Sequence, residues 1–427
     1  MNSPDVNLNL NVRCLPLSAT LFINELSNKL KREGRPIYKL GLGQSPFPVP
    51  QPVVDELITN AYQKDYLPVL GLYSLSEAVV DYYRRSQNLE YSSENILVGP
   101  GSKELMFIIQ LVYYGDLIIP TPSWVSYAPQ AHIVGRHVYW LFTKKENRWL
   151  LTPEELDRHC RQDPTRPRLL ILNYPNNPTG MTYSRDELKS LAQVAEKYKV
   201  LILSDEIYGE LNFNGNHTSI AKYYPEGTII SSGLSKWCGA GGWRLGTFIF
   251  PENLKWLLEG MSAVASETFT STSAPIQYAG VRAFKGGMKI ERYLCQSRRV
   301  LKSLADSVYQ KLYSAGADVS KPNGAFYMFP DFSKYKENFR RRGIANSREF
   351  CEKLLNETGV AILPGSAFGR PENEFTARIA YVDFDGSRAL AAAEQIPFEQ
   401  EIDERFLEYY CERVLKAVDL LCEFAAN

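Results

Sequence analysis

Short apolar runs alternate with amphipathic segments along the middle of the chain. The clearest unit begins at Leu169–Leu172, an aliphatic run without polar alternation, which is typical of a strand covered on both faces. A helix is predicted next, because Ser184 and Glu187 are spaced as a capping box and the apolar positions after them recur on one face. Val200–Leu203 supplies the following buried strand. Together they predict a βαβ unit and therefore a parallel sheet.

Similar apolar runs predict further strands in the same region. They are Ile96–Val98, Leu117–Ile119, His137–Leu141, Thr228–Ser231 and Thr247–Phe250. Polar or glycine-rich segments repeatedly follow the ends of these strands. Because ligands of open α/β sheets bind beyond the carboxyl ends of the strands, the segments predict one shared site.

The pattern also indicates more than one domain. A chain of 427 residues exceeds the roughly 250–300 residues at which single cores stop growing. From about Lys311 the pattern changes to helices mixed with a few short strands. We predict an N-terminal segment, residues 1–41, that packs on a small domain, residues 311–427, and a large sheet domain, residues 42–310. Residues 395–403 are predicted to form a surface segment, to which the sequence assigns no role, before a last helix, Glu404–Phe424.

Composition narrows the classes of function. The chain is 44% hydrophobic and carries 48 basic and 48 acidic side chains, so it is neither disordered nor suited by charge to nucleic acid or an anionic membrane. Its most apolar run, Met106–Tyr114, is too short to span a bilayer and predicts a core helix. Seven scattered cysteines and four histidines show no metal-binding spacing, so reduced thiols and no metal are expected. The N-terminus does not resemble a signal peptide, and a cytoplasmic location is expected.

The most informative single segment is Ser232–Gly246, which reads SGLSKWCGAGGWRLG. Lys236 follows a buried strand among small residues, where loss of hydration would lower its pKa and let it form a Schiff base. A surface lysine in a flexible loop is the simpler alternative. A dinucleotide-binding loop is excluded, because the glycines do not follow a strand with G-x-G-x-x-G spacing.

This segment resembles the lysine signature of the class I and II pyridoxal-phosphate (PLP) aminotransferases. Three other segments resemble the same family in the same order: NYPNNPTG at Asn173–Gly180, SDEIYGEL at Ser204–Leu211 and ARIAY at Ala377–Tyr381. The similarity covers about residues 40–385. It implies the α/β architecture of PLP fold type I, with a large PLP-binding domain built on a mostly parallel sheet flanked by helices, and a smaller α+β domain.

The resemblance also implies roles for individual residues around pyridoxal 5′-phosphate. Lys236 would hold the cofactor as a Schiff base and act as general base, with Asp205 opposite the ring nitrogen and Tyr208 at the phenolic oxygen. Asn177 would share that oxygen, and Trp124 would stack on the ring. The phosphate-binding residues would be Gly101, Ser102, Lys103, Ser235 and Arg244.

The resemblance also implies which residues bind the substrate and which contact a partner subunit. Arg378 is aligned with the family's α-carboxylate arginine, and Gly43 with the backbone that closes over that carboxylate, with Asn177 and Trp124 nearby. Tyr66 is aligned with a tyrosine that reaches the phosphate of a neighbouring subunit, which implies a homodimer with shared active sites. The implied activity is amino transfer from an amino acid, aspartate first, to a 2-oxo acid, for which we expect 2-oxoglutarate.

Two departures from the family pattern leave the substrate open. GQSPF stands at Gly43–Phe47 instead of GEPDF, and SLS at Ser74–Ser76 instead of ELR. Arg292, Arg298 and Arg299 are candidates for a second substrate carboxylate only because they are cationic. A PLP-dependent carbon–sulfur lyase or an aminocyclopropane-carboxylate-synthase-like enzyme remains the alternative. A PLP-scaffold regulator is disfavoured, since no basic helix-turn-helix precedes Gly41.

Overall fold

The computed structural model describes residues 7–13, 15 and 19–427. Cys14 and the beginning of the predicted N-terminal segment lie outside this part of the chain. The strands are β1 Tyr38–Lys39, β2 Ile96–Gly99, β3 Asp116–Thr121, β4 Val138–Phe142, β5 Arg168–Asn173, β6 Leu201–Asp205, β7 Thr228–Gly233, β8 Gly246–Ile249, β9 Tyr327–Met328, β10 Val360–Ala361, β11 Leu363–Pro364 and β12 Ala377–Ala380. The helices are α1 Ala19–Arg32, α2 Gln51–Thr59, α3 Tyr73–Gln87, α4 Ser102–Val112, α5 Tyr127–Ile133, α6 Pro153–Cys160, α7 Arg185–Lys197, α8 Lys255–Thr268, α9 Ala274–Lys285, α10 Met288–Ser314, α11 Lys336–Arg341, α12 Ser347–Thr358, α13 Gly386–Ala393, α14 Glu404–Tyr410 and α15 Glu412–Ala426.

A seven-stranded sheet forms the centre of the molecule, with the strand order β2-β8-β7-β6-β5-β3-β4. Its strands pair in parallel except for β8, which is antiparallel to both neighbours. Each strand predicted from an apolar run is present, with its ends within two residues of the predicted ones. The predicted α/β class with a mostly parallel sheet is confirmed.

Both faces of this sheet are covered, which explains the unbroken aliphatic strands. Leu169 and Ile171 pack in one cluster with residues of α4 and α8, whereas Leu170 and Leu172 pack in another with Leu188 of α7. The predicted capping box at the start of α7 is present in both directions. Consecutive residues of a strand point to opposite faces, so burial on both sides requires apolar residues at every position.

The helices include the predicted core helix. Met106 and Ile109 of α4 are buried against the sheet. Within the described residues, no helix combines the length and the apolar composition that crossing a bilayer requires.

The C-terminal region has smaller sheets. Strands β11, β12 and β9 form an antiparallel sheet, and β1 of the N-terminal region pairs in parallel with β10. The predicted domain boundary at residues 310 and 311 falls within α10. The prediction of one last helix was wrong, because Cys411 is not helical (φ −121°, ψ 17°) and separates α14 from α15. Cys411 is fully buried, and the break lets Phe406 of α14 and Val414 of α15 enter one core.

Candidate active site

A cavity opens where the carboxyl ends of β5, β6 and β7 meet the start of α4. The sheet register places Asn173 beside Asp205, and Asp205 beside Ser231, so the polar strand ends meet at one edge. The predicted site residues that line this cavity are Gly43, Ser102, Lys103, Trp124, Asn177, Asp205, Tyr208, Ser235, Lys236 and Arg244.

Lys236 projects from the segment after β7 with its amine inside the cavity. Its Nζ donates a hydrogen bond to the carbonyl oxygen of Gly43 at 2.7 Å and lies 5.6 Å from the centre of the Tyr208 ring. Burial, together with the positive charges of Arg378 and Arg244, lowers the pKa of Lys236 to about 8 against the opposing effect of Asp205. A substantial fraction of neutral amine is therefore present near neutral pH, as a nucleophile or general base requires.

Asp205 faces the same cavity from the end of β6. Its carboxylate accepts a hydrogen bond from the hydroxyl of Tyr127 and a longer one, 3.4 Å, from the backbone N–H of Ile207. Burial raises the pKa of Asp205, and the net value is about 6 even though these two donors and the charge of Lys236 act in the opposite direction. Among the described residues no cation touches this carboxylate, so it is suited to a positively charged ligand group.

Tyr127 was missed by the sequence analysis. It begins α5 and is almost fully buried, as many core tyrosines are. Its position three residues after Trp124 was the only signal that could have suggested it, and that spacing does not reveal a contact with β6, 78 residues further along the chain.

Tyr327 of β9 was missed as well. Its hydroxyl lies 2.7 Å from the hydroxyl of Tyr208. It also lies beneath Gly43, where an added Cβ would be 2.0 Å from that oxygen, so no side chain fits at position 43 without displacement. Gly43 and Tyr208 therefore form one wall of the cavity beside Lys236, and Tyr327 supports both of them from behind.

Arg378 of β12 is buried next to this wall. Its Nη1 donates to Oδ1 of Asn177 at 3.1 Å, and its Nη2 donates to the carbonyl oxygen of Gly41. Its Nε is buried without a hydrogen-bond partner, and Arg378 forms no ion pair within the described part of the chain. Burial lowers the pKa of the guanidinium, which remains positively charged. A buried cation that lacks an anion is suited to a carboxylate ligand.

A cradle of donors forms where the start of α4 meets β8. Gly101 has φ +88°, and a Cβ there would lie 2.2 Å from Nη2 of Arg244. A Cβ on Gly246 would lie 2.1 Å from the backbone nitrogen of Ser102. Helix N-terminal N–H groups with an adjacent guanidinium are the chemistry that binds a phosphate. The glycines permit this close approach.

Other predicted residues lie apart from the cavity. Tyr66 is 89% exposed and is not part of the cavity wall in a single chain. Arg298 pairs with Glu210, and Arg299 donates to backbone carbonyls of residues 396, 397 and 400. Arg292 lies by Glu394. None of these three arginines lines the cavity, whereas Gln44, at one of the departures from the family pattern, does.

Comparison with known proteins places this geometry in a family. The family model described as aminotransferase class I and II matches residues 35–392. The aspartate aminotransferase of Bacillus sp. (strain YM-2) is 34% identical over 380 residues, covering 87% of this chain and 93% of that protein. The asparagine–oxo-acid transaminase of Streptococcus mutans is 33% identical, with 83% and 90% covered. The Thermus thermophilus aspartate aminotransferase structure with maleate has a TM-score of 0.81 at 27% identity, covering 97% of this chain and all of that one.

Proposed function

The chain belongs to the class I and II aminotransferase family, and from this premise we propose that it binds pyridoxal 5′-phosphate in the cavity around Lys236. The predicted family and its activity, the transfer of an amino group between an amino acid and a 2-oxo acid, are confirmed. One observation carries the cofactor proposal: an amine with a lowered pKa, Lys236, and a buried carboxylate, Asp205, face the same cavity. Within the described part of the chain no cation pairs with this carboxylate.

The residues present fit this cofactor. The backbone N–H groups of Ser102 and Lys103 at the start of α4 and the guanidinium of Arg244 suit its phosphate, and the close approach at Gly246 leaves no space for another side chain there. Asp205 offers a negative charge to a protonated ring nitrogen, and Tyr208 and Asn177 offer hydrogen bonds to the phenolic oxygen. A positive ring nitrogen would also relieve the unfavourable burial of the Asp205 carboxylate.

PLP supplies an aldehyde carbon and an electron sink for the substrate's α-carbon. The chain supplies positioning and proton transfer. We propose that the guanidinium of Arg378 holds the substrate's α-carboxylate. Its hydrogen bonds to the Asn177 side chain and the Gly41 carbonyl oxygen keep it in position. With the cofactor bound, the neutral Nζ of Lys236 would accept the proton that leaves the substrate's α-carbon, and the resulting ammonium group would then donate that proton. The carbonyl oxygen of Gly43 accepts a hydrogen bond from that amine at 2.7 Å and so fixes its position in the cavity.

We propose aspartate as amino donor and 2-oxoglutarate as acceptor. Two of the reported relatives carry the name aspartate aminotransferase, and both of these substrates have a second carboxylate. Arg378 would hold the α-carboxylate, and Arg244 lies in the cradle. Among the described residues that line the cavity, the Lys103 side chain is then the one cation left besides Lys236. Burial and the charge of Arg244 lower the pKa of Lys103, and an added carboxylate would counter both effects.

A donor screen against 2-oxoglutarate tests the substrate proposal. Aspartate should be the best donor, and Lys103→Met should raise its KM about tenfold or more while leaving the KM of a neutral donor such as phenylalanine nearly unchanged. An equal loss for both donors would contradict a role of Lys103 in substrate choice.

The variant Lys236→Ala tests the site itself. It should lose turnover because it lacks both the nucleophile and the general base, while PLP can still bind without a covalent bond. Borohydride should fix the cofactor on the peptide containing Lys236 in the wild type and not in the variant. Wild-type turnover in the variant would refute the assignment. Release of ammonia and pyruvate without an acceptor would indicate the lyase alternative.

We further propose that the protein is a cytoplasmic homodimer. The described cysteines are free thiols, which agrees with a reducing compartment. Large apolar side chains are exposed within one stretch, at Ile58, Tyr62, Tyr66 and Tyr73, as expected for a surface that a second copy covers. Tyr66 would then reach the phosphate cradle of the partner.

A further inference from the structure

A second buried carboxylate lies directly behind Asp205. Glu206 is 4% exposed and is not part of the cavity wall. Its Oε1 accepts hydrogen bonds from the hydroxyls of Ser204 (2.8 Å) and Ser219 (2.5 Å), and its Oε2 lies 3.0 Å from Nε2 of His217. Because Ser204 and Asp205 are consecutive in β6, they point to opposite faces of the sheet. The carboxylate of Glu206 therefore lies on the Ser204 side, behind the cavity.

The serine hydrogen bonds around Glu206 have a fixed direction. The hydroxyl of Ser204 donates its single hydrogen to Glu206, so the Tyr174 hydroxyl is the donor in its 3.2 Å contact with Ser204. The N–H of Ile220 in turn donates to the Tyr174 hydroxyl at 2.7 Å. The N–H of Ala221 donates to Ser219 at 3.2 Å. Both serines therefore receive a hydrogen bond and have their own hydrogen left for Glu206.

His217 completes the set of donors. Its Nδ1 is buried without a hydrogen-bond partner in the described part of the chain. A hydrogen on Nε2 leaves only a lone pair unpartnered at Nδ1, whereas a hydrogen on Nδ1 would leave a buried N–H without an acceptor. Nε2 is therefore the donor. A carboxyl group that receives three hydrogen bonds and donates none is ionised, so Glu206 carries a negative charge inside the protein.

Other titratable groups near Glu206 do not neutralise it. They are buried tyrosines, Tyr82, Tyr83, Tyr91 and Tyr174, whose pKa values are raised first by burial and further by the charge of Glu206. Glu210 has its own partner in Arg298. No lysine or arginine among the described residues pairs with Glu206. The same charge contributes to the raised pKa of Asp205.

We propose that Glu206 is a positioning residue whose charge, acting from behind Asp205, holds the proton on the ring nitrogen of the cofactor. Two successive carboxylates, one facing the ring and one behind it, make the potential at that nitrogen more negative than Asp205 alone would. His217, Ser204 and Ser219 keep the second carboxylate ionised. This inference rests on the proposed function, since Asp205 must face the ring nitrogen of bound PLP.

The test compares two ligands of the cofactor-free protein. One is PLP, and the other is an analogue in which a C–H group replaces the ring nitrogen. Glu206→Gln keeps the shape and removes the charge, so PLP should bind about three- to tenfold more weakly while the analogue binds as in the wild type. The matched control is Glu210→Gln, whose carboxylate faces Arg298, and it should leave both affinities within about twofold.

Two results of this comparison would contradict the proposed role of Glu206. An equal loss for both ligands in Glu206→Gln would show a structural role and overturn the inference, as would unchanged PLP binding. If Glu206→Gln does not fold, Ser219→Ala removes one of the hydroxyl groups that donate to the Glu206 carboxylate. The preference for PLP over the analogue should then fall at least about twofold while the analogue binds as in the wild type. An unchanged preference in Ser219→Ala overturns the inference. Failure of the wild type to bind either ligand would instead refute the proposed function, and with it this inference.

Discussion

Among the groups of the chain, a single phenol does most to stabilise the charge of Asp205. The hydroxyl of Tyr127 donates to it, while burial acts against the charge and raises its pKa to about 6. Because the folded chain binds this proton more tightly than the unfolded chain, folding stability falls as pH rises from about 4 to 6. The ionised residue is therefore a source of instability at neutral pH unless a cationic ligand is bound.

Asp205→Asn should remove this pH dependence. Below about pH 4 the variant and the wild type should be similarly stable without cofactor, and at pH 7.5 the variant should be more stable by about 3 kcal/mol, since one pKa unit corresponds to about 1.4 kcal/mol. In a chain that keeps Asp205, Tyr127→Phe should enlarge the loss of folding stability as the pH rises, because it removes a donor that lowers the pKa of Asp205. Thermal unfolding of the three cofactor-free proteins across this range measures both effects. Parallel stability curves for wild type and Asp205→Asn would contradict the expectation.

At the scale of elements, close approach of α4 and β8 creates the phosphate cradle. The backbone of Gly246 comes so near the nitrogen of Ser102 that an added Cβ would lie 2.1 Å from it, and the neighbour is backbone rather than a movable side chain. The two elements can therefore meet only through glycine.

Gly246→Ala should separate β8 from α4. We expect a loss of about 3 kcal/mol in stability from overpacking. We also expect the variant to lose the preference for PLP over pyridoxal, because the displaced cradle would no longer bind the phosphate. The control for stability is Gly242→Ala, because a Cβ at position 242 meets nothing within 4 Å among the described residues. Melting temperatures of the two variants, and the ratio of PLP to pyridoxal affinity in Gly246→Ala, measure the outcome. Equal melting temperatures would refute the role of this contact.

Much of this element structure could be predicted from the sequence, because its signals are local. The aliphatic run at Leu169–Leu172 and the capping box at Ser184 depend on near neighbours only. Tyr127 and Tyr327 could not be predicted, since their roles depend on contacts with Asp205 and Tyr208 across 78 and 119 residues. The break at Cys411 interrupts a continuous amphipathic pattern, and only the packing of the C-terminal core requires it.

At the scale of the whole molecule, a single chain leaves the proposed site without one of its expected residues. Tyr66 is 89% exposed, and it lies in a stretch with three other exposed apolar side chains. A dimer would bury this surface, and closed two-fold symmetry would place the Tyr66 of each subunit in the same relation to the other's cavity. The site residues of one chain would then act with a tyrosine of the second.

Mixed dimers test this sharing directly. Lys236→Ala should be inactive, and Tyr66→Ala should have strongly reduced activity, because it removes a phosphate donor from the partner's site. After unfolding and refolding of an equal mixture, about half of the dimers should be mixed, and each of these has one site with both changes and one intact site. Activity should therefore return to about a quarter of the wild-type value, measured against the two variants refolded separately. If each site were built from one chain, both kinds of site in a mixed dimer would be defective, and mixing would restore nothing.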